Sequence, residues 1–83
     1  MNLPIPSSFE LFLIEFTESF EKLSSKSDYT YQIQEQQRCI VMHARVFQMD
    51  VLRMMIELSQ RHYIYYGIYS TGAKELFLHI NVR

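Results

Sequence analysis

Glycine and proline are scarce in this chain, two of each in 83 residues. Connections must therefore be short, with little room for long catalytic loops. Gly67 and Gly72 stand apart and neither opens a helix, which excludes a glycine-rich phosphate cradle. A single cysteine, Cys39, rules out a disulfide within the chain, so a reducing cytoplasm is the expected setting. No apolar run approaches the ~20 residues of a membrane helix. Residues 1–6 show neither the basic nor the apolar region of a signal peptide. No two Lys or Arg residues are adjacent, so the chain lacks the basic runs that hold nucleic-acid backbones or anionic surfaces.

What is present is enough to fold. Hydrophobic residues make up 48% and charged residues 20% of the chain, a balance that builds one modest core and excludes a disordered tail. Net charge is −1, unevenly placed. Residues 1–35 carry six carboxylates against two lysines, and residues 36–83 carry six cations against three carboxylates. Such an asymmetry can steer a partner, but an acidic first helix and scattered arginines on a solvated surface are the favoured account, because no basic run exceeds one residue.

Residues 1–6 read as an extended arm, because prolines at positions 4 and 6 exclude helix. Residues 7–83 read as a single α+β domain. Ser7 and Glu10 have the spacing of a capping box. Phe9, Phe12, Phe16, Phe20 and Leu23 then recur at helical spacing, with Leu13 beside them. Leu11 and Ile14 lie off that stripe, which makes the first helix apolar around more than half its girth. Ser24–Asp28 ends it. Tyr29–Gln34 alternates as a first strand and Cys39–Val46 as a second, with Ile33 opposite Ile40 and Tyr31 opposite Met42. A second helix starts near Asp50, a favourable residue for a first turn. Val51, Leu52, Met55, Ile56 and Leu58 are expected on its buried side. Arg53–Glu57 and Glu57–Arg61 are expected as pairs on its exposed side.

The last 21 residues form the most informative segment. Tyr63–Tyr69 and Glu75–Val82 both alternate at period 2, separated by a turn in which Gly72 supplies a positive φ. A three-residue loop places Tyr65 opposite Phe77 and Tyr63 opposite His79. The chain order is then α-β-β-α-β-β, and the expected fold is a two-layer domain with a four-stranded antiparallel sheet and both helices on one face. Ile64, Tyr66, Ile68, Leu76, Leu78, Ile80 and Val82 are expected beneath the helices. Tyr63, Tyr65, Tyr69, Phe77 and His79 belong to the opposite face, joined there by His43 and Arg45 of the first hairpin.

Half-buried strands usually turn Lys, Glu or Thr to water. Rings with polar tips mark a surface that meets something. Three readings compete for it. The face is a protein interface, most simply between copies of this chain, since Tyr, Arg and Met are enriched at such contacts. It is a platform on which bases of single-stranded nucleic acid stack, although the run of basic, glycine and aromatic residues that marks the common RNA-binding sheet is missing and the chain is acidic overall. Or it is simply covered by the N-terminal arm. Leu11, Ile14 and Met54 are secondary interface candidates.

Metal and catalytic readings find less support. His43, His79 and Cys39 share a face but lack ligand spacing. Ser70, Thr71 and His79 have only Glu75 as an orienting carboxylate, and a nucleophile needs a cleft. The expectation is a non-enzymatic, cytoplasmic interaction or regulatory module without cofactor or metal, self-associating and acting by docking. Single-stranded nucleic-acid binding is the alternative. A small accessory or inhibitory protein of a compact genome fits the same residues.

Overall fold

The computed structural model describes residues 7–72 and 74–83. The expected N-terminal arm, and with it the reading in which that arm covers the sheet, lies outside the described residues. The elements are α1 (Ser8–Glu21), β1 (Thr30–Gln34), β2 (Cys39–Ala44), α2 (Met49–Arg61), β3 (Ile64–Ser70) and β4 (Leu76–Val82), with a short 3-10 turn at Lys26–Asp28. The four strands form one antiparallel sheet in the order β1-β2-β4-β3, as expected of an α+β domain. β4 is therefore central, and β1 and β3 are the two edges.

Local chemistry explains where α1 begins and what it buries. The Ser7 side chain accepts from the Glu10 N–H, and the Glu10 carboxylate accepts from the Ser7 N–H, a closed capping box. Phe9, Phe12, Phe16 and Phe20 are buried at the expected spacing. Phe16 and Phe20 meet the Tyr31 ring edge-on, with centroids 5.2 and 4.9 Å away, which seats the helix against the β1 side of the sheet. At its other end the Ser8 hydroxyl donates to the Arg83 carbonyl. The core is completed by Ile40, Met42 and Ala44 of β2, Leu78, Ile80 and Val82 of β4, and Val51, Met54, Met55 and Leu58 of α2.

α2 is rotated from its expected phase. Met54, expected to be exposed, is 4% exposed and belongs to the core, whereas Ile56, expected inside, is 52% exposed. Positions 51, 54, 55 and 58 follow the i, i+3, i+4, i+7 rule with an apolar residue at every step. The stripe starting at Leu52 runs into Ser59. The helix turns the unbroken stripe inward, and Met54 is thereby removed from the interface candidates. The expected Arg53–Glu57 and Glu57–Arg61 pairs are not formed among the described residues. Arg61 turns instead to Glu15 of α1, at 3.5 Å, where His62 Nε2 lies 2.7 Å from the same carboxylate.

The hairpin registers are informative. β1 and β2 pair as expected, Ile33 with Ile40 and Tyr31 with Met42. The turn closes through the Arg38 N–H donating to the Glu35 carbonyl, with Arg38 at φ 53° where glycine or asparagine would be usual. In the second hairpin the three-residue loop is corrected to a five-residue link, residues 71–75. Tyr69 lies opposite Phe77, Gly67 opposite His79 and Tyr65 opposite Asn81. The shorter loop would set Asn81 and Val82 against residues that belong to α2. The longer one pairs all seven residues of β3 with all seven of β4. Gly72 has the anticipated positive φ of 88°, and Lys74 adds a second left-handed residue at 60°. Because the shift is an even number of residues, the two faces keep their expected membership.

Asp50 fastens the second layer. Its Oδ2 accepts from the Ser25 hydroxyl (2.6 Å), the Ser25 N–H (3.2 Å) and the Ser24 hydroxyl (3.3 Å), and its Oδ1 accepts from the Val51 N–H (2.8 Å). Ser25 has one hydroxyl proton and gives it to the carboxylate. The buried Tyr29 hydroxyl, 3.2 Å from Ser25 Oγ, then supplies the proton between them while accepting from the Gln48 N–H at 2.9 Å. The link after α1 is thus tied to the start of α2, where the helix dipole also favours a negative charge. These donors, the Ser25 hydroxyl first, hold the Asp50 carboxyl below its ordinary value of 3.8. A carboxylate with a depressed folded pKa adds stability that is complete above the unfolded value and is lost as pH falls through the folded one. Asp50→Asn should therefore cost about 1–2 kcal/mol in urea denaturation at neutral pH. The gap to the parent should close as pH drops below 3.8.

Candidate functional site

The alternation of the central strands builds the aromatic face. Side chains at even positions of β2 and β4 point to the helices. Odd positions point to the opposite side, where the described residues place no covering element. The pairing arranges that side in three rows: Thr30, His43, Phe77 and Tyr69; Gln32, Val41, His79 and Gly67; and Gln34, Cys39, Asn81 and Tyr65.

The first row is a continuous run of rings across three strands. His43 and Phe77 have centroids 4.8 Å apart, and Phe77 and Tyr69 stack at 5.4 Å with 17° between planes. His79, in the next row, has its ring centroid 6.5 Å from that of Tyr69. At the opposite end the Arg83 guanidinium lies 3.9 Å from the Tyr65 ring centroid and 6.0 Å from that of Tyr63, a cation over two exposed rings. His43 Nε2 is shielded from solvent and lies 3.0 Å from Glu75 Oε2, close enough to pair though not aligned as a hydrogen bond.

The structure brings together Tyr65, Tyr69, Phe77, His79 and His43 of the expected interface. Tyr63 lies just before β3, at the Arg83 end. Arg45 lies just past β2, on the rim of a shallow depression of about 320 Å³ that His43 and Glu75 also line. Phe77, His79 and His43 are half-buried, while Tyr63, Tyr65, Tyr69 and Arg45 are exposed. Of the secondary candidates, Leu11 and Ile14 are exposed on α1.

The chemistry available on this face is limited. Among the described residues no three His, Cys, Asp or Glu side chains converge as a metal site. Glu75 pairs with His43 rather than with His79. Cys39 is buried despite its outward position. Its sulfur lies 3.1 Å from Gln34 Oε1, and burial pushes the thiol pKa up, so it stays protonated.

Sequence reasoning missed the helix-facing side of β3. Tyr66 and Ile68 were expected beneath the helices, yet they are 42% and 47% exposed. Both helices spend their apolar stripes on β1, β2 and β4, and the edge strand lies beyond them. Every residue from Tyr65 to Ser70 is consequently exposed. The available signal was Gly67. Its backbone does not require glycine, and a Cβ there would meet nothing within 4 Å.

Comparison with protein-family models, with curated proteins and with solved structures finds no match to this chain.

Replacing rings on this side should spare the fold. At submicromolar protein, Tyr65→Ser and Tyr69→Ser should each change unfolding free energy by less than about 1 kcal/mol, as surface substitutions do. Leu78→Ala, at a fully buried position of β4, should cost about 2–5 kcal/mol in the same denaturation measurement.

Proposed function

We propose that this chain is a non-enzymatic interaction module that works by docking and associates with itself through β3 and the aromatic face beside it. The observation that carries the reading is the exposure of six consecutive residues, Tyr65–Ser70, none of them charged. A patch this apolar on a small soluble domain is a contact surface in waiting. Tyrosine is well suited to it, since each ring offers large area at low entropy cost and keeps a polar tip for water in the free state.

The surroundings agree. Two half-open depressions adjoin the aromatic face, and their linings of Thr30, Gln32, His43, Arg45 and Glu75 set a polar rim beside the rings, as a contact surface has. No helix among the described residues is long and apolar enough to cross a membrane. A protonated, buried Cys39 is compatible with a reducing cytoplasm. One feature favours the second reading, single-stranded nucleic acid: Arg83 over Tyr65 places a cation beside an exposed ring, as backbone-and-stacking recognition needs.

Light scattering after size exclusion separates these. At tens of micromolar the chain should run at twice its 10.0 kDa mass or more, and the double variant Tyr65→Ser/Tyr69→Ser should run as a folded monomer. A strict monomer for the parent chain would remove the self-association reading. Tight oligonucleotide binding that weakens steeply with salt would put the nucleic-acid reading in its place.

A further inference from the structure

We infer that the occupant of the β3 edge is the β3 edge of a second copy, paired antiparallel about a two-fold axis through Gly67; this rests on the self-association reading above and specifies its geometry. The first argument is exposure on both sides of one strand. Tyr65 and Tyr69 are open on the aromatic side, and Tyr66 and Ile68 are open on the helix side. A partner stacked on the aromatic face would leave Tyr66 and Ile68 in water. A strand added edge-on covers both sides at once.

The backbone supplies the second argument. The Arg83 N–H donates to the Tyr63 carbonyl at 2.9 Å, next to the Ile64–Val82 pair. Bonding alternates along an antiparallel ladder. Tyr65, Gly67 and Tyr69 therefore turn their N–H and C=O groups toward β4, while Ile64, Tyr66, Ile68 and Ser70 turn theirs outward. Natural sheets guard such an edge with a charge, a proline or a bulge. β3 has no charge and no proline, and it runs in unbroken register from Ile64–Val82 to Ser70–Leu76. The other edge, β1, is shorter and carries Thr30, Gln32 and Gln34 on its outward face.

Among two-fold registers, the one centred on Gly67 pairs every outward backbone group of β3. Ile64 meets Ser70 of the second copy and Tyr66 meets Ile68, for about eight hydrogen bonds in all. The side chains agree with it. Tyr65 falls opposite Tyr69 of the other copy on the aromatic face, and Tyr66 falls beside Ile68 on the helix face, the kind of cross-strand pairs that stabilise sheets. Gly67 meets itself at the axis, at a non-hydrogen-bonded position where opposed residues come closest, about 4.5 Å between Cα atoms. That position accounts for a glycine that the single chain does not need.

The area on offer is close to what such a contact needs. Tyr63, Tyr65, Tyr66, Ile68 and Tyr69 are between 42% and 74% exposed. At ~150–250 Å² for a large ring they offer roughly 400–500 Å² on each copy, so a symmetric pair approaches the ~1,000 Å² at which specific interfaces begin. The strand is uncharged, so its two copies meet without repulsion. An isologous two-fold contact also closes on itself and leaves no edge of this kind for further growth.

Cysteine scanning reads the geometry directly. In a Cys39→Ala background, Gly67→Cys should form a disulfide-linked dimer under mild oxidation, because its Cα atoms face each other across the axis. Ile68→Cys, equally exposed, should not, because the offset carries its Cα atoms beyond the ~7 Å reach of a disulfide. Ile68→Lys should raise the dimer Kd at least tenfold with an unchanged circular-dichroism spectrum. A face-to-face stack predicts the reverse: sheets ~10 Å apart keep Gly67→Cys unlinked, and Ile68→Lys, on the far side, is silent. A parent chain that dimerises with that reverse pattern would overturn the edge pairing and leave the interaction module standing. A parent chain that stays monomeric and Gly67→Cys that stays unlinked would overturn both.

Discussion

The position of β4 between β2 and β3 governs what this protein shows to water. Pairing on both sides makes β4 the spine of the sheet, with Leu78 and Ile80 fully buried and Val82 nearly so. It also sends β3 to the outside, held by its ladder to β4 and only lightly by the helices. Two helices can cover only so much sheet. α1 is committed to the β1 side by the contacts of Phe16 and Phe20 with Tyr31, and α2 turns Val51, Met54, Met55 and Leu58 into the same core. An edge strand of Ile, Tyr and Gly beyond that cover leaves apolar area in water on both faces, a cost that a partner strand would relieve.

Polar ties secure the helix from which that edge strand leaves. The Asp50 node ties the loop after α1 to the start of α2, and Glu15 meets His62 and Arg61 at the end of α2, immediately before β3. The chain enters β3 directly from that anchored helix end, and β3 then returns through β4. Docking through such a strand requires no rearrangement of the core, so the ordering cost of binding stays small. The ring run from His43 through Phe77 reaches the edge strand at Tyr69 and continues the aromatic face up to it.

How much of this was legible in the residues depended on which physical signal each part rests on. Face membership was legible, because alternation at period 2 survives any even shift of register, and the Ile33–Ile40 pairing followed from the same pattern. The length of the second turn was not, since it depends on Lys74 entering the left-handed region, which lysine does not advertise. The phase of α2 was legible in principle: only the stripe from Val51 is apolar at every step, and Met54 belongs to it. The exposure of Tyr66 and Ile68 was largely hidden, because it follows from strand order, and apart from Gly67 no local feature of IYYGIYS distinguishes an edge from a centre. Gly67 was the one residue whose identity hinted at it.

Amide hydrogen exchange on β3 tests the central claim most directly, because the edge-pairing account divides this strand by parity. Tyr65, Gly67 and Tyr69 donate to β4 and should be protected at every protein concentration. Tyr66 and Ile68 point outward and should exchange fast in dilute solution, then slow markedly as concentration crosses the association midpoint. Fast exchange at Tyr66 and Ile68 in a solution where the chain is demonstrably dimeric would contradict the account.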